Sequence, residues 1–324
     1  MALLPQVGLD ALVIEVVLPT YNGAAYLRQQ VASIDQQTLR PQRLIIRDDG
    51  STDGTRELLA SLKQDYGDWL ALLPADGNLG CSANVNRLLE ITRAPYVALA
   101  DQDDHWLPGK LEASLTLLKQ LEQIHGVEMP LMVHSDLSLI DGDGMPLGCS
   151  YLQLQRLDPS RTGLDDLLLT NVVTGCTVLL NQALLKTALP IPAEALMHDW
   201  WLALVASATG VIGFLPEPAV LYRQHGSNVL GARGTGLLVM TGRFLRPSVH
   251  GPRALFQAVV RQASLLQHRF NLPELTLVRA MAEGRLLRCW RLCLQPARRR
   301  KFLKHGPLRT WALRLVFCLA RPQP

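Results

Sequence analysis

Through its first 125 residues the chain alternates short apolar runs with amphipathic stretches, and the runs end in turn-forming or acidic residues. This alternation constrains the fold more than any other feature. Residues 12–18 are a β-branched run stopped by Pro19, the pattern of a buried strand. Residues 43–47 and 96–100 are two more such runs, with a candidate strand at 69–73 between them. Helical spacing covers residues 24–37, where Leu27, Val31 and Ile34 share a face, and then 55–63, 82–92 and 107–122. Strands alternating with helices predict a largely parallel sheet flanked by helices. In open sheets of this kind ligands bind beyond the carboxyl ends of the strands. Three polar segments fall there: Pro19-Thr20-Tyr21-Asn22, Asp48-Asp49-Gly50-Ser51 and Asp101-Gln102-Asp103-Asp104. One site can collect all three.

The last segment places three carboxylates within four residues, directly after an apolar run. Clustered carboxylates repel one another unless a cation or hydrogen bonds intervene. Oxygen ligands suit Mg²⁺ or Mn²⁺, and Mg²⁺ is commonly shared between one or two protein carboxylates and a substrate's phosphates. A solvated acidic loop is the alternative. The flanking strand and the Trp106-Leu107-Pro108 that follows favour the ligand site. The Asp48-Asp49-Gly50-Ser51 segment is either a pocket rim or an ordinary turn with helix capping, and Asp53 suits a cap.

Beyond residue 130 the pattern changes. Strands are expected at 131–135 and 176–180 and a helix at 199–208, and residues 216–223 lead into a glycine-rich loop at 226–236. From 251 onward the spacing is mainly helical and Arg-rich. The charge divides in the same place. Residues 233–324 carry 18 Lys/Arg against Glu274 and Glu283, a net of +16, whereas residues 1–232 carry 14 Lys/Arg against 26 Asp/Glu, a net of −12. Two functional parts are expected, 1–232 (halves near 12–125 and 126–232) and 233–324. The second would face a polyanion or an anionic membrane. Within it, basic residues such as Arg285, Arg288, Arg298 and Lys301 interleave with Leu286, Trp290 and Phe302, the composition of an interfacial amphipathic helix. A helical cap with a solvated basic face is the alternative.

No apolar stretch reaches the length of a membrane span. Residues 1–10 lack the basic and apolar regions of a signal peptide. Cys81, Cys149, Cys176, Cys289, Cys293 and Cys318 are scattered without zinc-ligand spacing, which fits a reducing, cytoplasmic setting.

Four segments stand in a recognisable order: Val17-Leu18-Pro19-Thr20-Tyr21-Asn22, Asp48 to Thr55, Asn78-Leu79-Gly80 with Ser82-Ala83-Asn84, and Ala100 to Pro108. With His198-Asp199-Trp200-Trp201 and Tyr222 to Asn228, the chain resembles the family 2 glycosyltransferases of GT-A fold over roughly residues 12–230, and most of all their rhamnosyltransferase-like branch.

That resemblance implies a Rossmann-like α/β fold and a metal-dependent, inverting transfer of a sugar, rhamnose by the branch resemblance, from a dTDP- or UDP-sugar to a lipid-linked or surface polysaccharide. Asp103 would ligate Mg²⁺ or Mn²⁺. Asp101 would bind ribose or assist the metal, with Asp104 the other choice of second ligand. Tyr21 would stack near the base in a pocket shaped by Pro19 and Thr20. Asp49 would accept a base N–H. Asn84 would face the donor or sit on a helix surface. Asp199 is the candidate general base, with a helix N-cap role as the alternative. His225 would be a third ligand or touch the diphosphate, with Arg223 beside it as a phosphate partner. The 226–236 loop would close over the donor. Partners would be the nucleotide sugar, a glycan acceptor and the inner face of the membrane, with no nucleic acid. Two other readings compete. A sugar-nucleotide pyrophosphorylase would need a cation in the loop after the first strand, where the nearest is Arg28. A noncatalytic membrane- or polyanion-binding protein would act through the basic tail.

Overall fold

The computed structural model describes residues 14–75, 77–225, 252–273 and 275. Its strands are β1 (Ile14–Thr20), β2 (Arg43–Asp48), β3 (Leu70–Leu72), β4 (Tyr96–Leu99), β5 (His105–Trp106), β6 (Leu131–Ser135), β7 (Ser138–Ile140), β8 (Pro146–Ser150), β9 (Leu179–Asn181), β10 (Val211–Leu215) and β11 (Val220–Arg223). Its helices are α1 (Leu27–Asp35), α2 (Thr55–Tyr66), α3 (Cys81–Glu90), α4 (Lys110–His125), α5 (Tyr151–Gln155), α6 (Leu164–Leu167), α7 (Gln182–Ala188), α8 (His198–Thr209) and α9 (Pro252–Phe270).

A seven-stranded sheet in the order β10-β6-β9-β4-β1-β2-β3 forms the centre. Its pairings are parallel except those of β9, which runs antiparallel to both β4 and β6. Alternation along β1 divides the core. Val17 joins the cluster under α3, α7, α8 and α9, while Ile14, Val16 and Leu18 join the one under α1, α2 and α4. A smaller sheet, β5-β11-β7-β8, stands beside the carboxyl edge. Its strand β5 follows the acidic loop directly, and β11 pairs antiparallel with it.

Several boundaries differ from the sequence reading. Pro19 does not stop β1 but lies inside it, opposite Arg47 of β2. The pairing with β4 has already ended at Val17 and Leu99, so the missing proline N–H interrupts no ladder. Pro108 precedes α4, which starts at Lys110 after Gly109. The run expected as a strand from 176 opens instead as a 3-10 turn, Gly175–Thr177, and the strand itself is Leu179–Asn181. Trp69 belongs to a 3-10 turn ahead of β3 and donates its indole N–H to Pro41 O at 2.9 Å.

The helix α9 packs on the same core as α8, burying Val259, Ala263 and Leu266. Gln262, fully buried, accepts the Leu196 N–H at 2.9 Å. Arg269 donates to Thr187 O at 3.0 Å and Pro190 O at 2.8 Å, carbonyls at the end of α7. The segment from α7 to α8, which delivers His198 and Asp199, is thus held by α9. No described helix is long and apolar enough to cross a membrane. The expectations for residues 1–10, the 226–236 loop, the tail at 285–320 and Cys289, Cys293 and Cys318 lie outside the described residues.

Candidate active site

The three polar segments do meet at the carboxyl edge of the large sheet. The β1 end is held from the β2 side. Asn22, at a left-handed φ of 51°, donates its N–H to Ser51 Oγ at 2.8 Å and accepts Thr52 N–H at 2.9 Å. Gly23 N–H reaches Thr55 Oγ1 at 2.9 Å, and Ala24 N–H reaches Asp53 at 3.1 Å. Asp53 also accepts from Thr55 N–H, but the N-cap of α2 is Gly54, one residue on, so Asp53 is not the cap itself. Burial would raise its carboxyl, but the hydrogen bonds from Thr55 and Ala24 together leave it lowered. Asp48 accepts from Gly50, Ser51 and Arg56. Tyr21 stands half exposed above this layer.

Asp49 is buried, and Oδ1 accepts from Arg47 at 2.7 Å and Leu79 N–H at 2.8 Å. Oδ2 accepts from Gly80 N–H at 2.8 Å. The carboxylate therefore pins the Asn78-Leu79-Gly80 loop to the strand edge. Asn84 is buried against Arg47, accepting from its guanidinium at 3.1 Å and donating to its carbonyl at 3.2 Å. Of its two expected places, the helix surface is the one the burial rules out.

The acidic loop carries the strongest electrostatic signature. Burial, then the charges of Asp103 and Asp199, push the Asp101 carboxyl up to about 7. Asp103 pairs with His225, Oδ2 to Nε2 at 2.8 Å, and the His225 ring packs on Tyr26 with centroids 5.1 Å apart. Asp104 is fully buried and lies on the inner side of the loop. Burial and then Asp101 and Asp103 push its carboxyl well above the usual range. Ligand atoms of Asp101, Asp104 and Cys176 lie within 4.8 Å of one another.

Arg223 brackets this loop from β11. Its Nε donates to Asp103 O at 3.0 Å, Nη1 to Gly142 O at 3.0 Å and Nη2 to Gln29 Oε1 at 3.1 Å. Its backbone N–H reaches Asp104 Oδ1 at 3.3 Å, and its guanidinium lies 4.6 Å from the centre of the Tyr26 ring. The side chain is buried and engaged with protein acceptors.

Asp199 sits in the first turn of α8, where Oδ2 accepts Gly175 N–H at 3.1 Å and Oδ1 accepts Trp200 N–H at 2.6 Å. Its carboxyl is raised by burial, against the lowering effect of His198 and these backbone donors. A Cβ at Gly175 would stand 3.2 Å from His198 Nε2 and 3.5 Å from Asp199 Cβ, so a glycine lets the 3-10 turn approach the acid. His134 and Asp136, at the end of β6, are buried. The imidazole lies against Phe214 and is pushed down to about 4 by burial, and Asp136 accepts from Leu137 and Leu152 N–H.

Several neighbours were not anticipated from sequence. Cys81 opens α3 with Sγ 4.0 Å from His198 Nδ1, and its thiol is pushed up to about 12 by desolvation and then by Asp101, Asp199 and Asp49. Lys110 is buried with Nζ 3.7 Å from the Trp106 ring centre, and burial lowers its ammonium to about 7 despite Cys176 and Asp104. Gln102, the neutral member of the acidic loop, makes three hydrogen bonds to β1 and the residue after it. A Lys at the start of a helix and a Gln between acids carry no distinctive signal in one sequence. Arg28 is taken up by Asp65 and Ser61 on the helix surface, at 3.1 and 3.2 Å.

Residues 15–127 match the model of the family described as Glycosyl transferase family 2. The uncharacterized protein Rv1520 of Mycobacterium tuberculosis is 27% identical over 243 residues, covering 74% of this chain and 66% of that protein. The uncharacterized glycosyltransferase RP339 of Rickettsia prowazekii is 28% identical over 177 residues, 53% of this chain and 51% of that protein. The chain thus spans just under two thirds, or about half, of the length of these relatives. Among solved structures, Staphylococcus aureus TarS 1–349 in complex with UDP-GlcNAc superposes with a TM-score of 0.56 at 16% identity, covering 93% of this chain and 83% of that one. The mannosyltransferase PcManGT of Pyrobaculum calidifontis, in complex with GDP-Man and Mn²⁺, gives 0.54 at 17% identity, covering 95% and 85%. These likenesses show a shared architecture, the GT-A fold. Residues 15–127 thus match the family 2 glycosyltransferase domain, within a chain of GT-A architecture.

Proposed function

We propose that the chain moves a sugar, with inversion, from a dTDP- or UDP-sugar to a hydroxyl of a lipid-linked or surface glycan. The observation that carries this reading is the meeting of Asp101, Asp103 and Asp199 at one strand edge, where burial and then the latter two charges push the Asp101 carboxyl up to about 7. Such repulsion fits a site made for a cation. The donor set fits Mg²⁺ or Mn²⁺: carboxylates of Asp101 and Asp103, with the His225 imidazole already 2.8 Å from Asp103. A divalent ion there would stabilise the negative charge on a departing diphosphate. That the Pyrobaculum relative in fold binds GDP-Man and Mn²⁺ favours the same arrangement.

The other roles follow from position. Tyr21 offers an exposed ring on which a base can stack, above Pro19 and Thr20. Asp49 Oδ2 accepts one hydrogen bond here and has capacity for another, suited to a base N–H. Asn84 acts by holding Arg47 and hence Asp49, on the donor side of the edge. Asp199 takes the proton from the acceptor hydroxyl, and its raised carboxyl makes it a stronger base than an ordinary aspartate. Arg223 serves the donor site by bracketing the Asp103 loop, since its guanidinium is occupied by three protein acceptors.

A rhamnosyl donor rests on the motif resemblance alone. We further propose that residues 1–232 are the transferase body and that part of 233–324 lies on the inner membrane surface, where each basic residue near an anionic leaflet contributes about 1 kcal/mol. The reading is tested by offering dTDP-, UDP- and GDP-sugars with Mn²⁺ or Mg²⁺ and measuring nucleoside diphosphate release. Release from at least one donor, lost in EDTA, is expected. No release and no binding of any nucleotide by folded protein would overturn it.

A further inference from the structure

Gln102 ties the acidic loop to the end of β1. Its Oε1 accepts the Thr20 hydroxyl at 2.5 Å and the Tyr21 N–H at 2.8 Å, and its Nε2 donates to Tyr21 O at 3.0 Å. The side chain thus grips both backbone polar groups of Tyr21. The neighbouring Gly23 leaves room for it. A Cβ built there would overlap Gln102 Oε1 and lie 2.6 Å from its Cδ. Gly23 is not among the positive-φ glycines, so an alanine would be excluded by Gln102 first, and by Thr20 Oγ1 at 2.9 Å, and not by its own backbone. No other residue of the loop has an amide that can both donate and accept. An acid in its place would repel the Tyr21 carbonyl and add a fourth carboxyl to a loop that already crowds three.

We infer that Gln102 is a positioning residue that couples the metal-side loop to the nucleotide-side loop, so that ordering one orders the other. This deepens the transferase reading and rests on it. When the acidic loop is drawn into place, Gln102 moves Tyr21 with it. When a base settles on Tyr21, the same three hydrogen bonds hold Asp101 and Asp103 in register. Coupling of this kind is reciprocal: the factor by which the ion improves nucleotide binding equals the factor by which the nucleotide improves ion binding.

The test is a binding cycle on the full chain by calorimetry, with UDP, dTDP and GDP as probes, each with Mn²⁺ and in EDTA. The readout is the ratio of the two Kd values. In Gln102→Ala the ratio should fall about tenfold below wild type, because the nucleotide no longer profits from the ordered loop. Gln102→Glu, which sets a carboxylate oxygen against the Tyr21 carbonyl in place of the donated bond, should also fall in ratio. Gly23→Ala leaves Gln102 in the chain but displaces its amide, and should reproduce Gln102→Ala. A loss of affinity that is equal with and without Mn²⁺ in Gln102→Ala and Gly23→Ala would overturn the inference and leave Gln102 as a purely structural residue. Absence of nucleotide binding by the wild type under every condition would instead overturn the transferase reading, and the coupling with it.

Discussion

Replacing Asp101 by Asn should stabilise the metal-free protein. In the folded chain the Asp101 carboxyl titrates at about 7, against an ordinary value of 3.8. The folded state therefore binds its proton more tightly than the unfolded state does. The sign follows from linkage: stability from this group is complete below pH 3.8 and is lost as pH rises through about 7. The gap of about three pH units, at about 1.4 kcal/mol each, puts the loss near 4 kcal/mol above pH 7, an order-of-magnitude figure. At pH 5 less than half of this has been lost, because the folded group is still protonated. An amide carries no charge to repel, so Asp101→Asn should recover much of the larger amount at pH 8 and little at pH 5. For 324 residues the unfolding entropy is about 0.7 kcal/mol/K, so the ceiling is about 6 °C in Tm. Thermal melts in EDTA at pH 5 and pH 8 measure it directly. A Tm for Asp101→Asn at or below wild type at pH 8 would refute the reasoning, since it would mean that charging this buried carboxyl beside Asp103 and Asp199 carries no penalty. Activity should move the other way, because the same carboxylate is needed to hold the ion.

Other outcomes follow from the same geometry. Asp199→Asn should lower kcat by about 10²- to 10⁴-fold, the usual contribution of a positioned base, with a small change in Tm because one side-chain oxygen can still accept Gly175 or Trp200 N–H. Because burial raises Asp199, and a base works only when deprotonated, the acidic limb of the kcat/KM profile should lie above the ordinary aspartate value of 3.8 and vanish in that variant. Gly210→Ala should abolish soluble folding or cost more than about 3 kcal/mol, since its Cβ would overlap Pro130 O in the turn that starts β10, and yield and melting temperature report it. Arg269→Ala should lower stability by roughly 1 kcal/mol, discounted for exposure, by freeing the carbonyls at the end of α7, as read by chemical denaturation.

The parallel half of the fold was legible because its strands are continuous apolar runs and its turns announce themselves with Asp and Gly. Residues 14–20, 43–48 and 96–99 are fully or nearly fully buried, so their sequences had little freedom. The small second sheet was not legible as a sheet. Strand β5 has two residues and β7 three, too short for any period to show, and they exist because β11 brings partners from over 80 residues away. Cys176 looked like strand because its neighbours are apolar, yet the chain must curl there for Gly175 to reach Asp199. Within the site, the acids were visible because carboxylates cluster rarely without reason. Arg223 was legible as a charge beside the site, while its three protein acceptors lie 81 to 194 residues away in sequence and only the fold assembles them. Lys110 carries no signal in the sequence, yet it is buried against Trp106 under the acidic loop.

The central claim is that the acids at the strand edge bind a nucleotide together with a divalent ion. Thermal stabilisation by nucleotide sugars, measured with Mn²⁺ and with EDTA on wild type and Asp103→Ala, tests it most directly. The account predicts a rise in Tm that needs both the ion and the nucleotide and is lost in Asp103→Ala. A shift of the same size in EDTA, or one that survives Asp103→Ala, would contradict it.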